Sequence, residues 1–277
     1  MARVNLGQHF LTDSDVIQKI IGALTLSRGD IVLELGAGHG ALTFPLAALS
    51  EKKDFSLFAV EKDTHLAEEL EKKLGGNKTA HIIRGDLREA LPEFARNKKG
   101  EQFTLVGNIP YYLTGYLFRL ISELEVKPKI TVLTIQKEVA ERVTALPPAA
   151  NKLSASVRFW GDPEIVGLVP QGAFSPPPEV HSAILRIKPV AKDPKIAPGA
   201  YYRLVRILFA QPRKTLLNNV LGNIRRKNSE SVPREEILKK LASCDIKPGA
   251  RPQDLSVNNI IRIAEVFKEG FHFKGDL

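Results

Sequence analysis

Between Asp30 and Ile135 the sequence alternates short apolar runs with longer segments whose apolar residues recur at helical spacing. The runs have the length of strands: IVLEL (31–35), FSLFAV (55–60), HIIRGD (81–86), FTLVGN (103–108) and ITVLTI (130–135). Neighbouring parallel strands must be joined by a crossover, which is usually a helix. The alternation therefore predicts an α/β fold, a parallel doubly wound sheet with helices on both faces.

Segments on either side of this alternation extend the predicted fold. DSDVIQKIIGAL reads as an N-terminal helix that Asp13 or Ser14 would cap. EIVGLV and HSAILRI are β-like and are separated by the proline-rich PQGAFSPPPEV. Their position favours antiparallel strands added at one edge of the sheet.

A boundary between two domains is predicted in the segment KPVAKDPKIAPG, residues 188–199. It contains three prolines and no apolar periodicity. We therefore expect one domain over residues 1–189 and a second over 190–277. Four segments of the second domain are amphipathic and predict a small all-α unit: YYRLVRILFAQ, KTLLNNVLGNIRR, REEILKKLASC and SVNNIIRIAEVF.

Positive charge is concentrated in the last third of the chain. Residues 191–277 contain 17 basic and 9 acidic side chains, whereas residues 1–190 contain 23 and 22. Basic side chains on helices often do no more than face the solvent. An excess of positive charge confined to one segment instead favours a polyanionic partner, most simply nucleic acid.

Three further features narrow the functional class. No apolar run approaches the roughly 18–20 residues of a membrane helix, and the N-terminus lacks the apolar core of a secretory signal. The single cysteine, Cys244, excludes an internal disulfide, and the histidines lack metal-ligand spacing. We expect a cytoplasmic protein without a bound metal.

The segment LELGAGHGALT joins the first predicted strand to the next helix. Gly36, Gly38 and Ala41 satisfy G-x-G-x-x-G/A, and Glu61 lies 20 residues beyond Ala41. Glycines let the backbone approach a ligand, and a carboxylate accepts hydrogen bonds from a ribose diol. The pattern suits NAD and S-adenosylmethionine equally because both contain adenosine. A tight turn without a ligand is the third alternative.

Asp86 closes the third predicted strand and lies at the same edge of the sheet. There it could accept from an adenine amine, although an exposed loop aspartate would give the same local sequence. A glycine loop and two acids at the carboxyl ends of three successive strands favour the ligand, because such sheets bind ligands at that edge.

The segment GNIPYY follows the fourth predicted strand. Asn108 offers a side-chain carbonyl, and the backbone carbonyl of Ile109 beside rigid Pro110 offers a second acceptor. Two acceptors hold both hydrogens of an exocyclic amine and favour its pyramidal form. Tyr111 could stack on the base that carries the amine. These residues predict amine methylation by in-line transfer, with catalysis by positioning and electrostatics.

Eight motifs occur here in the order typical of one family: GQHFLTD, ELGAGHGALT, VEKD, GDLRE, GNIPYYLTG, QKEVAERV, FSPPPEVHSAI and QPRKTLLNN. The chain resembles the KsgA-type ribosomal RNA adenine dimethyltransferases from about Leu6 to Phe267. The resemblance implies the Rossmann-like sheet of class I S-adenosylmethionine-dependent methyltransferases, and S-adenosylmethionine as the cofactor.

The resemblance also implies roles for individual residues. Those expected to bind the cofactor are His9, Leu11, Gly36, Gly38, Glu61, Asp86 and Asn108. Those expected to hold the target adenine are Asn108, Ile109, Pro110, Tyr111 and Phe174. Glu61 would bind the ribose, Asp86 would face the adenine, and Tyr111 and Phe174 would pack on opposite faces of the flipped target base.

The resemblance implies a substrate as well. The family transfers two methyl groups to each of two adjacent adenosines in a hairpin loop near the 3′ end of small-subunit (16S) ribosomal RNA. The expected partner is the small-subunit precursor particle, and the enzyme is expected to be a monomer that contributes to subunit biogenesis. The cations expected to bind RNA are Arg213, Lys214, Arg225, Arg226 and Lys227, although the last three could instead cap a helix end.

Some positions depart from the family pattern. His9 stands where many relatives have asparagine, Pro212 stands where a basic residue is common, and Arg3 is the only cation before GQHFL. Three alternatives remain open. They are an Erm-type enzyme acting on large-subunit (23S) RNA, a non-catalytic ribosome-assembly or transcription factor on the same fold, and a nicotinamide oxidoreductase. The last explains the glycine loop alone.

Overall fold

The structure is a computed structural model that describes residues 9–98, 100–191, 196–226, 231–268 and 271–273. For residue 226 and residues 271–273 it describes the backbone alone. None of the helices in these ranges is both long and apolar enough to cross a membrane.

The described strands are β1 Phe10–Leu11, β2 Ile31–Leu35, β3 Ser56–Glu61, β4 Ala80–Arg84, β5 Thr104–Asn108, β6 Ile130–Gln136, β7 Gly161–Val169, β8 Phe174–Ser175, β9 Ser182–Pro189, β10 Ile224–Arg226 and β11 Phe271–Phe273. The described helices are α1 Ser14–Ala23, α2 Thr43–Lys53, α3 Thr64–Leu74, α4 Leu87–Asn97, α5 Thr114–Glu123, α6 Lys137–Thr144, α7 Lys152–Arg158, α8 Pro198–Leu208, α9 Leu216–Leu221, α10 Arg234–Ala242 and α11 Val257–Val266.

Seven of these strands form one sheet in the order β4-β3-β2-β5-β6-β9-β7. The pairs from β4 to β6 are parallel, whereas β9 runs antiparallel to both β6 and β7. The predicted doubly wound sheet with antiparallel strands at one edge is therefore confirmed. Between β2 and β5 the strand order reverses, and sheets of this type bind ligands at such a point.

Aspartate side chains cap the N-termini of three helices in the first part of the chain. The Asp13 carboxylate accepts from the backbone amides of Asp15 and Val16, so Asp13 is the cap of α1. Asp63 caps α3 and Asp86 caps α4 in the same way. These caps place two acidic residues at the ends of β3 and β4.

The chain divides into two compact units, residues 1–141 with 161–189 and residues 142–160 with 190–277. The first unit contains the large sheet. In the second, apolar side chains of helices α8 to α11 form a core that includes the fully buried Tyr201. Residues 142–160 belong to this unit although composition placed them in the first domain, because the Tyr201 hydroxyl donates to the Ala155 carbonyl over 3.0 Å and Phe159 stacks on its ring at 3.9 Å.

Two details of the secondary structure differ from the sequence-based expectation. KTLLNNVLGNIRR is not one helix, because α9 ends at Leu221 and Ile224–Arg226 pairs antiparallel with Phe271–Phe273. Arg225 and Arg226 therefore lie on a β-ribbon and do not cap a helix. Helices α6 and α7 were not predicted, since both are short and follow strands or prolines.

Candidate functional site

The carboxyl ends of β2 and β5 border a cavity of about 210 Å³ in the first unit. The lining residues are His9, Phe10, Leu11, Glu34, Gly36, Ala37, Gly38, His39, Ala41, Leu42, Val60, Glu61, Lys62, Gly85, Asp86, Leu87, Arg88, Asn108, Ile109, Pro110, Tyr111, Tyr112 and Leu113. Every residue assigned to the cofactor lines this cavity, as do four of the five assigned to the target base.

Glu61 holds the glycine loop at one wall of the cavity. Its two carboxylate oxygens accept from the backbone amides of Gly38, at 2.7 Å, and Asp63, at 2.8 Å. Gly38 has a φ of +56°, and a Cβ there would approach the Phe10 ring to 3.1 Å. The loop is thus a backbone cradle that a side chain at position 38 would fill. Each Glu61 oxygen keeps a lone pair for a further donor.

A second buried acid, Glu34, also lines the cavity and was missed by the sequence analysis. It is 1% exposed at the penultimate position of β2, and its Oε2 has no hydrogen-bond partner. Burial raises the pKa of Glu34 to about 7; the nearby Thr43 hydroxyl opposes the shift, and the Glu61 carboxylate adds to it. Neither Glu34 Oε2 nor Thr43 Oγ1 has a hydrogen bond of normal geometry. The sequence feature that could have identified Glu34 was its carboxylate within the apolar strand IVLEL.

Asp86 follows β4, and two cationic side chains contact its carboxylate. Arg88 Nε donates to Oδ1 over 2.9 Å and Arg88 Nη2 to Oδ2 over 2.6 Å, while Lys62 Nζ lies 3.1 Å from Oδ2. Hydrogen bonds from Arg88 hold the pKa of Asp86 well below its usual range. Asp86 is therefore a carboxylate acceptor, but an adenine amine would have to share or displace the Arg88 contact.

Asn108, the last residue of β5, is fixed by the chain segment that precedes α1. Its Nδ2 donates to the backbone carbonyl of His9 over 2.9 Å. Because a carbonyl only accepts, this contact sets which end of the amide carries the nitrogen. The side-chain oxygen of Asn108 is left as an acceptor at the cavity.

Tyr111 forms the adjacent wall. Its hydroxyl lies 2.7 Å from Ser182 Oγ, and its ring is stacked with His9 at a centroid distance of 5.8 Å. His9 Nδ1 donates in turn to the Pro176 carbonyl over 2.9 Å. Burial raises the pKa of Tyr111, so its hydroxyl stays protonated. Ser182 had no role in the sequence analysis, and only strand pairing brings it here.

Leu11 and Phe174 face each other in the short antiparallel pair of β1 and β8. Leu11 lines the cavity, whereas Phe174 does not and is 4% exposed within the apolar core. The contact of Phe174 with a target base stays a prediction that would require it to leave this core. Ile109 is buried, and Pro110 is partly exposed at the cavity.

The predicted RNA-binding cations lie in the second unit. Arg213 and Lys214 are exposed in the turn before α9. Arg225 is partly buried and its guanidinium donates to the Ile224 carbonyl over 2.7 Å. Arg226 is described by its backbone alone, and Lys227 lies outside the described residues. Among the described residues, no group of three or more His, Cys, Asp or Glu side chains could hold a metal ion.

Comparisons with known proteins identify relatives of this chain. A "Ribosomal RNA small subunit methyltransferase A" of Dehalococcoides mccartyi is 37% identical, covering 92% of this chain and 85% of that protein. A dimethyladenosine transferase structure from Plasmodium falciparum has a TM-score of 0.79 at 25% identity, covering 96% of this chain and all of that one.

The 23S rRNA methyltransferase ErmE has a TM-score of 0.72 at 24% identity, covering 94% of this chain and all of that one, and shows the shared fold. Residues 1–267 match the family described as "Ribosomal RNA adenine dimethylase". The chain therefore belongs to the ribosomal RNA adenine dimethylase family.

Proposed function

We propose that this protein transfers methyl groups from S-adenosylmethionine to N6 of two adjacent adenosines in a hairpin loop near the 3′ end of small-subunit ribosomal RNA. The proposal depends on the orientation of the Asn108 amide. Its nitrogen donates to the His9 carbonyl, and its oxygen remains as an acceptor at the cavity. The family match and the small-subunit activity in the name of the Dehalococcoides mccartyi relative support the substrate class.

The residues around the cavity suit S-adenosylmethionine. The Gly38 cradle admits a ligand close to the backbone, buried Glu61 keeps acceptor capacity for a ribose diol, and Asp86 is a carboxylate for the adenine amine. Glu34 adds a buried acid without a partner at Oε2, and a cationic cofactor bound nearby would favour its ionised form. When bound, S-adenosylmethionine would supply a methyl group on a positively charged sulfur.

The chain's own contribution to the reaction is to position and polarise the amine. The Asn108 side-chain oxygen and the Ile109 backbone carbonyl would accept hydrogen bonds from the two N–H groups of the amine. This arrangement favours an amine whose nitrogen lone pair is directed at the methyl group. Tyr111, held by Ser182, would stack on the adenine. Both effects act in the transition state and need no covalent bond to the protein.

The substrate must bring its base out of the helical stack. RNA loops offer unstacked bases more readily than duplexes do, which agrees with a hairpin target. The helical unit, whose segment 191–277 has the local charge excess, would bind the RNA backbone through Arg213, Lys214 and the β10–β11 ribbon. The proposal includes a monomeric enzyme acting in the cytoplasm on the small-subunit precursor.

The test is methyl transfer from labelled S-adenosylmethionine to unmethylated small-subunit particles, with large-subunit RNA in parallel. Digestion and identification of the modified base should give dimethyladenosine confined to a hairpin near the small-subunit 3′ end. Label on the large-subunit RNA alone would indicate an Erm-type target. Cofactor binding without label on either RNA would indicate a non-catalytic assembly factor.

A further inference from the structure

Two tyrosines without a role in the reaction described above lie exposed beside the cavity. Tyr112 directly follows Tyr111, is 76% exposed and lines the cavity. Tyr116, near the start of α5, is 43% exposed. Large aromatic side chains that remain this exposed next to a ligand site are typical of contact surfaces.

The spacing of the two tyrosines is that of residues on one face of a helix. Tyr112 precedes Tyr116 by four residues, and the turn at 111–113 runs directly into α5, so the two positions are about one helical turn apart. The core-facing residues of α5 include Leu117, Phe118 and Ile121, which bury the opposite side of the helix. Packing of the helix therefore does not require a tyrosine at position 116.

The side chains near Tyr116 include two planar, positively charged guanidinium groups. The phenol of Tyr116 lies near the guanidinium groups of Arg88 and Arg119. Arg88 lines the cavity, and Arg119 is largely exposed with Glu123 as its partner at 2.9 Å. Tyrosine and arginine together are the side chains that stack on unpaired bases and lie near their phosphates.

We propose that Tyr112 and Tyr116 form a stacking platform for the nucleotides that flank the target adenosine in a single-stranded stretch of RNA. The inference rests on the proposed function and names the part of the substrate that this surface binds. A base that enters the cavity brings its neighbours to the cavity mouth, where Tyr112 lies. Stacking on these neighbours offsets the free energy lost when they leave their own stack.

The experiment uses an RNA hairpin with two adjacent loop adenosines, together with versions that carry an abasic nucleotide on the 5′ or the 3′ side of the pair. Tyr112→Ala and Tyr116→Ala should each weaken binding of the intact hairpin at least about fivefold. Tyr112→Phe and Tyr116→Phe keep the rings and should stay close to wild type. S-adenosylmethionine affinity should be unchanged in the Tyr116 variants, because Tyr116 is not among the residues that line the cavity.

The abasic hairpins separate a stacking role from a structural one. The wild-type protein should bind at least one abasic hairpin more weakly than the intact hairpin. The alanine variant of the tyrosine that faces the missing base should bind that abasic hairpin and the intact hairpin equally well. Leu168→Ala, which removes an exposed side chain of β7 away from the cavity, is the matched control and should bind every RNA like wild type.

The possible failures are distinguishable. A wild-type protein that methylates the hairpin, together with alanine variants that bind intact and abasic RNA as wild type does, would overturn the platform and leave the proposed function standing. Absence of methyl transfer by the wild-type protein to hairpins and small-subunit particles would overturn the proposed function itself.

Discussion

The side-chain amide of Asn108 donates to the backbone carbonyl of His9 over 2.9 Å, across 99 residues of sequence. This contact ties the end of β5 to the segment before α1, and it orients the amide so that its oxygen remains for a substrate amine. His9 is itself held by its Nδ1 bond to the Pro176 carbonyl. The position of His9 and the orientation of the acceptor therefore depend on the same three residues.

The first prediction concerns the acceptor at position 108. Asn108→Ala should lower methyl transfer about 100-fold or more, because it removes an oriented acceptor for the amine. S-adenosylmethionine affinity should stay within about tenfold of wild type, since Glu61, Asp86 and the glycine loop remain. Single-turnover methylation and calorimetric titration measure the two effects. Near-normal turnover would contradict the proposed role of Asn108 in holding the amine.

The second prediction concerns the Arg88 contact on Asp86. Arg88→Ala removes the two guanidinium contacts on Asp86 and leaves the Lys62 contact. It should tighten binding of S-adenosylmethionine by up to about fivefold, a modest effect because the Arg88 side chain is 51% exposed. Titration calorimetry of the cofactor measures it. Arg84→Ala is the control, because Arg84 pairs with Glu68 and Glu71 and does not line the cavity. Weaker binding in Arg88→Ala would show that Arg88 itself holds the cofactor.

The third prediction concerns the pH dependence of stability. The pKa of Glu34 is raised from 4.5 to about 7, so between these values the folded protein binds more protons than the unfolded chain. The contribution of Glu34 to the free energy of unfolding is therefore fully present below pH 4.5 and is lost as pH rises through 7. The loss is about 3 kcal/mol.

Glu34→Gln removes this titration. The free energy of unfolding of the variant relative to wild type should therefore rise between pH 5 and pH 8, as measured by urea unfolding at a series of pH values. Glu51→Gln, at an exposed position on α2, is the control and should leave the pH profile unchanged. A constant difference between Glu34→Gln and wild type across this range would mean that Glu34 titrates normally.

The fourth prediction concerns the cations of the helical unit. Replacing Arg213, Lys214, Arg225 and Arg226 with glutamine should weaken RNA binding and lower its salt dependence. Each lost phosphate contact should reduce the slope of log affinity against log salt by about 0.7 to 0.9. Filter binding at several salt concentrations measures the slope.

A control for this experiment removes as many cations from the first unit. Glutamine substitutions at the exposed positions Arg28, Lys52, Lys72 and Lys73 change the net charge equally. They should leave the slope close to wild type, because they do not belong to the predicted RNA-binding set. An unchanged slope in the first variant would place the RNA contacts elsewhere.

The sequence by itself determined most of the architecture. Apolar periodicity located the five parallel strands to within two residues at either end, and IVLEL coincides with β2. The acids at 13, 63 and 86 cap helices because a short carboxylate meets the free amides of the first turn, which is a local interaction. Glu61, Asp86 and Asn108 were identifiable since parallel strands end at the same edge of a sheet.

The tertiary structure alone decided how those residues are used. Pairing of β9 with β6 brings Ser182 to Tyr111, packing moves Phe174 into the core, and β11 pairs with residues 224–226 where periodicity predicted helix. Burial raises the pKa of Glu34, which no sequence pattern reports. These outcomes depend on contacts between residues distant in the chain, and local periodicity and capping carry no information about such contacts.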